Sequence, residues 1–87
     1  MANRTKPLGL AHAVQVHTAS DIGEQTRATR KRAGLDQVTA AGLAGVGPRF
    51  LGELERGKES VQLGRALQVL ERLGLDVWIA PRGWRPD

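Results

Sequence analysis

AGVGPRFLGELERGK, residues 44–58, decides the fold. Gly45, Val46, Gly47 and Pro48 interrupt residues that read as helix on both sides, and a break this short predicts two helices meeting at a tight turn. Pro48 suits the first position of a new helix, where its missing N–H is not needed. Phe50, Leu51 and Leu54 then fall at i, i+1 and i+4, one buried stripe, while Arg49, Gly52, Glu53 and Arg56 face away. Gly57 closes this segment. Upstream, Asp36 can cap a helix from Gln37 to Ala44, with Ala41 and Ala44 small enough for another helix to approach and Gly45 taking the turn. Val46, Leu51 and Leu54 seal the angle between the two helices, so the spacing from Gln37 to Leu54 is that of a helix-turn-helix.

Working outward, Thr18-Ala-Ser-Asp21 has the spacing of a capping box, and Ile22 begins a helical segment that runs to Ala33 before Gly34 ends it. Its inner face is polar, with Gln25, Thr26 and Thr29 where Leu or Ala would be easier to bury. On the other side, Leu63, Ala66, Leu67, Leu70 and Leu73 recur at helical spacing, with Arg65, Gln68, Glu71 and Arg72 outside and Gly74 as the stop. Leu75, Val77 and Ile79 then alternate with Asp76, Trp78 and Ala80 until Pro81, a strand pattern. A lone strand leaves its backbone unpaired. Its partner is either the same strand in a second copy or the weak alternation of Ala13 to His17. The expected organisation is a flexible arm with a possible short strand over 1–17, the helical domain over 18–74, a dimerisation strand over 75–80 and a flexible tail over 81–87.

A chain of 87 residues supports one domain. At this size folding removes only about 60 to 65 per cent of the unfolded surface from water, so dimerisation helps. Cysteine is absent and no apolar run approaches 18 residues. No apolar segment with a cleavage site follows Met-Ala-Asn-Arg, so the expectation is a cytoplasmic, nucleoid-associated protein. Thirteen Lys and Arg against nine Asp and Glu leave a net charge of +4, which favours a polyanionic partner.

RKRAGLDQ (30–37) and AGLAGVGPRFLGELERGK (41–58) together resemble the XRE/Cro family of DNA-binding domains, whose common run is R-x-x-x-G-L-[ST]-Q…LAGVS-x-x-[FIV]-[IL]-x-x-[IL]-E-x-G. The ending LGLDVWI (73–79) further resembles HipB-type antitoxins, which pair a C-terminal strand across a dimer. The resemblance implies an all-α, lambda-repressor-like domain of four to five helices with a short C-terminal β-strand pairing across a homodimer. It also implies palindromic double-stranded DNA as partner, repression of the chain's own operon, and a HipA-like kinase toxin as a second partner. Carried onto this sequence, it places Gln37 at the entrance of the groove, on a base edge, a phosphate or a neighbouring side chain. Gly47, Pro48, Arg49, Gly52 and Glu53 take the positions that approach bases. Arg49 leads, because a guanidinium can bond O6 and N7 of guanine together. Glu53 either accepts from a cytosine amino group or orients Arg49. Arg56 and Lys58 lie near phosphates, joined by Arg30 and Lys31 from the basic cluster Arg27–Arg32. Leu75, Val77, Trp78 and Ile79 form the dimer interface, and Trp78 and Trp84 meet the toxin. The family's usual Ser or Thr cap is Gly47 here, and with Gly, Pro and Gly at three outward positions, phosphates and DNA shape carry a larger share of recognition.

Competing chemistry is poorly supported by the residues. His17 and Asp21 have i, i+4 spacing, but with only His12 beside them they make a thin metal site. No nucleophile is paired with a base, no phosphate-cradling loop occurs, and Glu53, Glu55 and Glu59 lie among Arg and Lys, so no enzyme activity and no cofactor are expected. Glu55 is read as structural. A protein-interaction module that does not touch DNA, a stand-alone regulator and an RNA binder remain as alternatives, the last lacking an aromatic stacking platform outside the tail.

Overall fold

In the computed structural model, residues 13–83 are described. They contain four helices: α1 (Ala19–Arg32), α2 (Gln37–Ala44), α3 (Pro48–Glu55) and α4 (Leu63–Arg72). Helix α1 starts three residues earlier than Ile22, directly after its cap. Thr18 Oγ1 accepts from the Asp21 backbone N–H at 3.1 Å, and Asp21 Oδ2 accepts from the Thr18 N–H at 3.1 Å, which completes the capping box. Asp36 caps α2 by accepting from the Thr39 N–H at 2.7 Å. The α2–α3 corner turns on Gly45, whose φ of 76° lies where a side chain is strained. Gly47 precedes α3 without a side-chain cap, and Pro48 opens the helix.

The core lies where α2, α3 and α4 meet. Ala40, Ala41, Ala44, Leu51, Leu54, Ala66 and Val69 are buried together, with Ile22, Leu35, Val46, Phe50, Val61 and Leu73 packed on the rim. Each large side chain fully removed from water here contributes about 1.5 to 3 kcal/mol. The alanines of α2 allow its backbone to sit close to both α3 and α4. Helix α1 crosses α3 at Gly23, where an added Cβ would lie 2.7 Å from the Glu55 carbonyl oxygen. Glycine is the residue that permits this approach. Beside it, Thr26 is buried and its hydroxyl donates to the Ile22 carbonyl at 2.8 Å, which is how the polar inner face of α1 is accommodated.

Three expectations are corrected. Leu63 and Leu67 are not core residues: the buried face of α4 is Ala66, Val69 and Leu70, and Leu63 is 67% exposed. Gln68 does not face solvent alone, because its Nε2 donates to the Ala44 carbonyl at 2.8 Å and satisfies an orphan acceptor at the end of α2. Among the described residues no strand forms within one chain. Ala13 to His17 does not pair with Leu75 to Ala80, and the latter segment lies outside any regular element.

Candidate nucleic-acid interface

Helix α3 is held by side chains of both α1 and α2. Arg30 of α1 is buried and reaches Glu55 through Nε to Oε2 at 2.6 Å and Nη2 to Oε1 at 2.9 Å, while its Nη1 donates to the Leu35 carbonyl at 2.9 Å. Gln37, the first residue of α2, adds Nε2 to the same Glu55 Oε1 at 3.0 Å. The paired carboxylate keeps the Arg30 guanidinium charged above its ordinary range. Burial pushes the Glu55 carboxyl up, but the hydrogen bonds from Arg30 and Gln37 outweigh it and hold the group below the usual carboxylate range.

This network corrects the placement of Arg30 at a phosphate: its side chain is 8% exposed and its donors point inward. It also gives Gln37 a neighbour to support, since its amide nitrogen is committed to Glu55. Gly52 is corrected as well. It is buried, with Arg56 Nη1 3.3 Å and Gln37 Oε1 3.6 Å from where its Cβ would stand, so those side chains cover the backbone from outside.

What remains outward on α3 is the first turn and one edge. Gly47 and Pro48 are exposed. The Arg49 side chain is 90% exposed, against 19% for Glu53. Glu53 Oε2 lies 3.3 Å from Arg49 Nε and 3.3 Å from Lys58 Nζ. The Lys58 hydrogen bond holds the Glu53 carboxyl below its ordinary range against an opposing push from desolvation, with the Lys58 charge and then the Arg49 hydrogen bond adding smaller contributions in the same downward direction. Arg56, Lys58, Arg27 and Lys31 are exposed. The arrangement offers cations and backbone at the tip of a short helix, a geometry suited to phosphates and base edges.

At the other end, Leu75 is half-buried, whereas Val77, Trp78 and Ile79 are exposed, Ile79 to 96%. Trp84 and His12 lie outside the described residues. Among the described residues no group of three His, Asp or Glu side chains gathers to hold a metal, and no helix is long and apolar enough to cross a membrane. The residues that the sequence reading missed as determinants of the site are Arg30 and Gln68. Both are polar residues that satisfy partners distant in the chain, and no local pattern marks them.

A capped short helix joined through a glycine corner to a second one, with its outer tip left polar, defines a helix-turn-helix unit. The chain belongs to the helix-turn-helix family of XRE-type transcriptional regulators, whose pattern (HTH_3) it matches over residues 27–77. It is 45% identical over 73 residues to an uncharacterized HTH-type transcriptional regulator, y4mF, of Sinorhizobium fredii (strain NBRC 101917 / NGR234), covering 84% of this chain and 96% of that protein. The restriction-modification controller protein C.AhdI from Aeromonas hydrophila is similar in structure, with a TM-score of 0.59 and 31% identity, over 67% of this chain and 84% of that one. A HipA-HipB-O2-O3 complex contains a chain with the same fold, with a TM-score of 0.73 at 14% identity over 80% of this chain and 99% of that chain. A HipB-O4 20mer complex matches with the same score.

Proposed function

We propose that this chain is a sequence-specific DNA-binding repressor that acts as a homodimer on an inverted repeat, and that it is the antitoxin of a HipBA-like module, repressing its own operon and neutralising a kinase toxin. The observation that carries the DNA-binding part is the Arg49 side chain standing almost fully in solvent on the first turn of a helix whose other face is locked into the body. In this reading α3 enters the major groove, Arg49 meets a guanine, Gly47 and Pro48 bring backbone close to the bases, and Glu53 lies at the same edge. Arg56, Lys58 and Lys31 lie along the phosphates, with Gln37 at the groove entrance. Two copies place their reading helices one helical turn apart, about 10 base pairs, or a multiple of it.

The antitoxin part is supported by the likeness of the fold to chains in HipB-containing complexes and by the exposed tail residues Val77, Trp78 and Ile79. Leu75, Val77 and Ile79 form the dimer strand, and Trp78, with Trp84, meets the toxin; Trp is a frequent anchor at protein interfaces. A gel shift with the region upstream of the chain's own reading frame tests the DNA-binding part. A shift at low salt that Arg49→Ala makes indifferent to sequence is expected, and no shift would favour an interaction module instead. Co-purification with the product of the neighbouring reading frame tests the toxin part. A kinase-like product that binds supports the module, while an unrelated neighbour leaves a stand-alone regulator.

A further inference from the structure

Arg49 and Glu53 are one turn apart on α3, yet they occupy different environments. The glutamate is mostly covered and the arginine stands free, so the carboxylate is not shaped to reach a base edge. Its Oε2 instead sits between Arg49 Nε and Lys58 Nζ, each at 3.3 Å. Lys58 is brought there by the backbone, because its N–H donates to the Glu53 carbonyl at 3.0 Å as the chain leaves the helix. The contact to Arg49 uses Nε alone. Among the described residues no hydrogen bond engages its two terminal nitrogens. Bidentate recognition of guanine requires a pair of N–H groups held in one plane and pointing the same way. An exposed arginine must otherwise lose its rotamer freedom at the moment of binding. A bare carboxylate beside it would repel the DNA backbone, and Lys58 cancels that charge.

We infer that Glu53 is a positioning residue for Arg49, with Lys58 as its counter-ion: the carboxylate holds the guanidinium by Nε and aims its terminal fork, and does not itself read a base. The inference rests on α3 entering the major groove as proposed above, and it reassigns Glu53 from base contact to support and Lys58 from phosphate contact to charge partner.

The test uses the full chain, a duplex selected by it from a random pool, single-base-pair variants of that duplex and a scrambled duplex, with affinities read by fluorescence anisotropy. Glu53→Ala is expected to lose about tenfold in preference for guanine at the same base pair that Arg49→Ala affects, without weakening binding to the scrambled duplex. The double variant should be no less specific than Arg49→Ala alone. Glu53→Gln, which keeps an oxygen acceptor for Nε, should retain most of the preference, and all variants should melt with the parent chain. Lys58→Met should weaken binding to both duplexes, and lose most of that effect when Glu53 is already Ala. An unchanged guanine preference in Glu53→Ala would overturn the inference, as would a loss at a different base pair from Arg49→Ala. If the parent chain selects no sequence and binds no duplex, the groove assignment of α3 falls first and the inference with it.

Discussion

Arg30 and Glu55, 25 residues apart in the chain, meet through two parallel hydrogen bonds of 2.6 and 2.9 Å in the seam between α1 and α3. Their side chains are 8% and 2% exposed, and among the described residues every buried side-chain nitrogen and oxygen has a hydrogen-bond partner. The pair fixes how α3 is rolled about its own axis, and therefore which of its residues face outward.

Breaking that pair on one side is costly, because it leaves an uncompensated charge out of water. Arg30→Ala and Glu55→Ala should each lower the free energy of unfolding by about 3 to 5 kcal/mol. For a domain with roughly 5 to 15 kcal/mol in total, that is a large share. Lys31→Ala, one residue along and exposed, should change it by less than about 0.5 kcal/mol. Replacing both partners by apolar residues of similar volume, Arg30→Met with Glu55→Leu, should recover most of the loss. Urea titrations followed by circular dichroism give all four values. Equal effects of Arg30→Ala and Lys31→Ala would place Arg30 on the surface after all.

The acid limb of stability follows from the same carboxylates. Glu55, Asp36 and Asp21 all have folded-state pKa values below their ordinary ranges, through Arg30 and Gln37, the Thr39 amide, and the His17 and Thr18 amides respectively. A depressed pKa means that stability is complete above the unfolded-state value and is lost as pH falls through the folded one. The melting temperature should therefore be flat from neutral pH down to about 5 and fall below about 4, where ordinary carboxylates begin to protonate. Asp36→Asn should lower the plateau and flatten part of the acid slope. A stability that rises on acidification would contradict these contacts.

Two glycines separate close approach from simple helix propensity. At Gly23 an added methyl group runs into the backbone carbonyls of Leu54 and Glu55, which cannot rotate away. Gly23→Ala should cost about 1 to 3 kcal/mol by forcing α1 off α3. At Gly42, in the middle of α2, nothing lies within 4 Å of the new atom, so Gly42→Ala should gain about 0.5 to 1 kcal/mol from the better helix former. Opposite signs in thermal melts are the expected result, and a neutral Gly23→Ala would show that the helix crossing is looser than described.

Most of the fold was legible because it depends on short-range signals. Asp36, Gly45 and Pro48 mark the ends of α2 and α3 by local backbone chemistry, and Thr18 with Asp21 marks the start of α1. Periodicity alone misassigned Leu63 and Leu67, because an apolar stripe on a helix does not say whether its edge meets the core or stands beside it. The candidate site was legible only where a side chain needs no partner distant in the chain, as with Arg49, whose contact Glu53 lies one turn away on the same helix. Arg30 stands among four basic residues in the sequence, and nothing nearby distinguishes the one that turns inward, because its partner Glu55 is brought to it by the corner at Gly45. Gln68 escaped notice for the same reason, since the carbonyl it satisfies belongs to the end of another helix.

The segment after α4 supplies the last expectation. Leu75 N–H donates to the Leu70 carbonyl at 2.8 Å, but none of the backbone amides from Asp76 to Ala80 has a backbone acceptor among the described residues, and Ile79 is 96% exposed. Unpaired backbone combined with alternating apolar side chains matches the edge of a sheet awaiting another strand, and a second copy of the same segment supplies one in the proposed homodimer. Ile79→Lys should then weaken self-association by about 30-fold or more, through a charge placed in the seam. The stability of the isolated chain should move by less than about 0.5 kcal/mol, because the side chain has left almost no contact to lose. Sedimentation at graded concentrations reads the first quantity and urea melts the second. DNA affinity should fall together with dimerisation, since one α3 then grips a half-site alone. A parent chain that stays monomeric at concentrations where it occupies its DNA would remove the strand pairing from the proposal while leaving the helix-turn-helix intact.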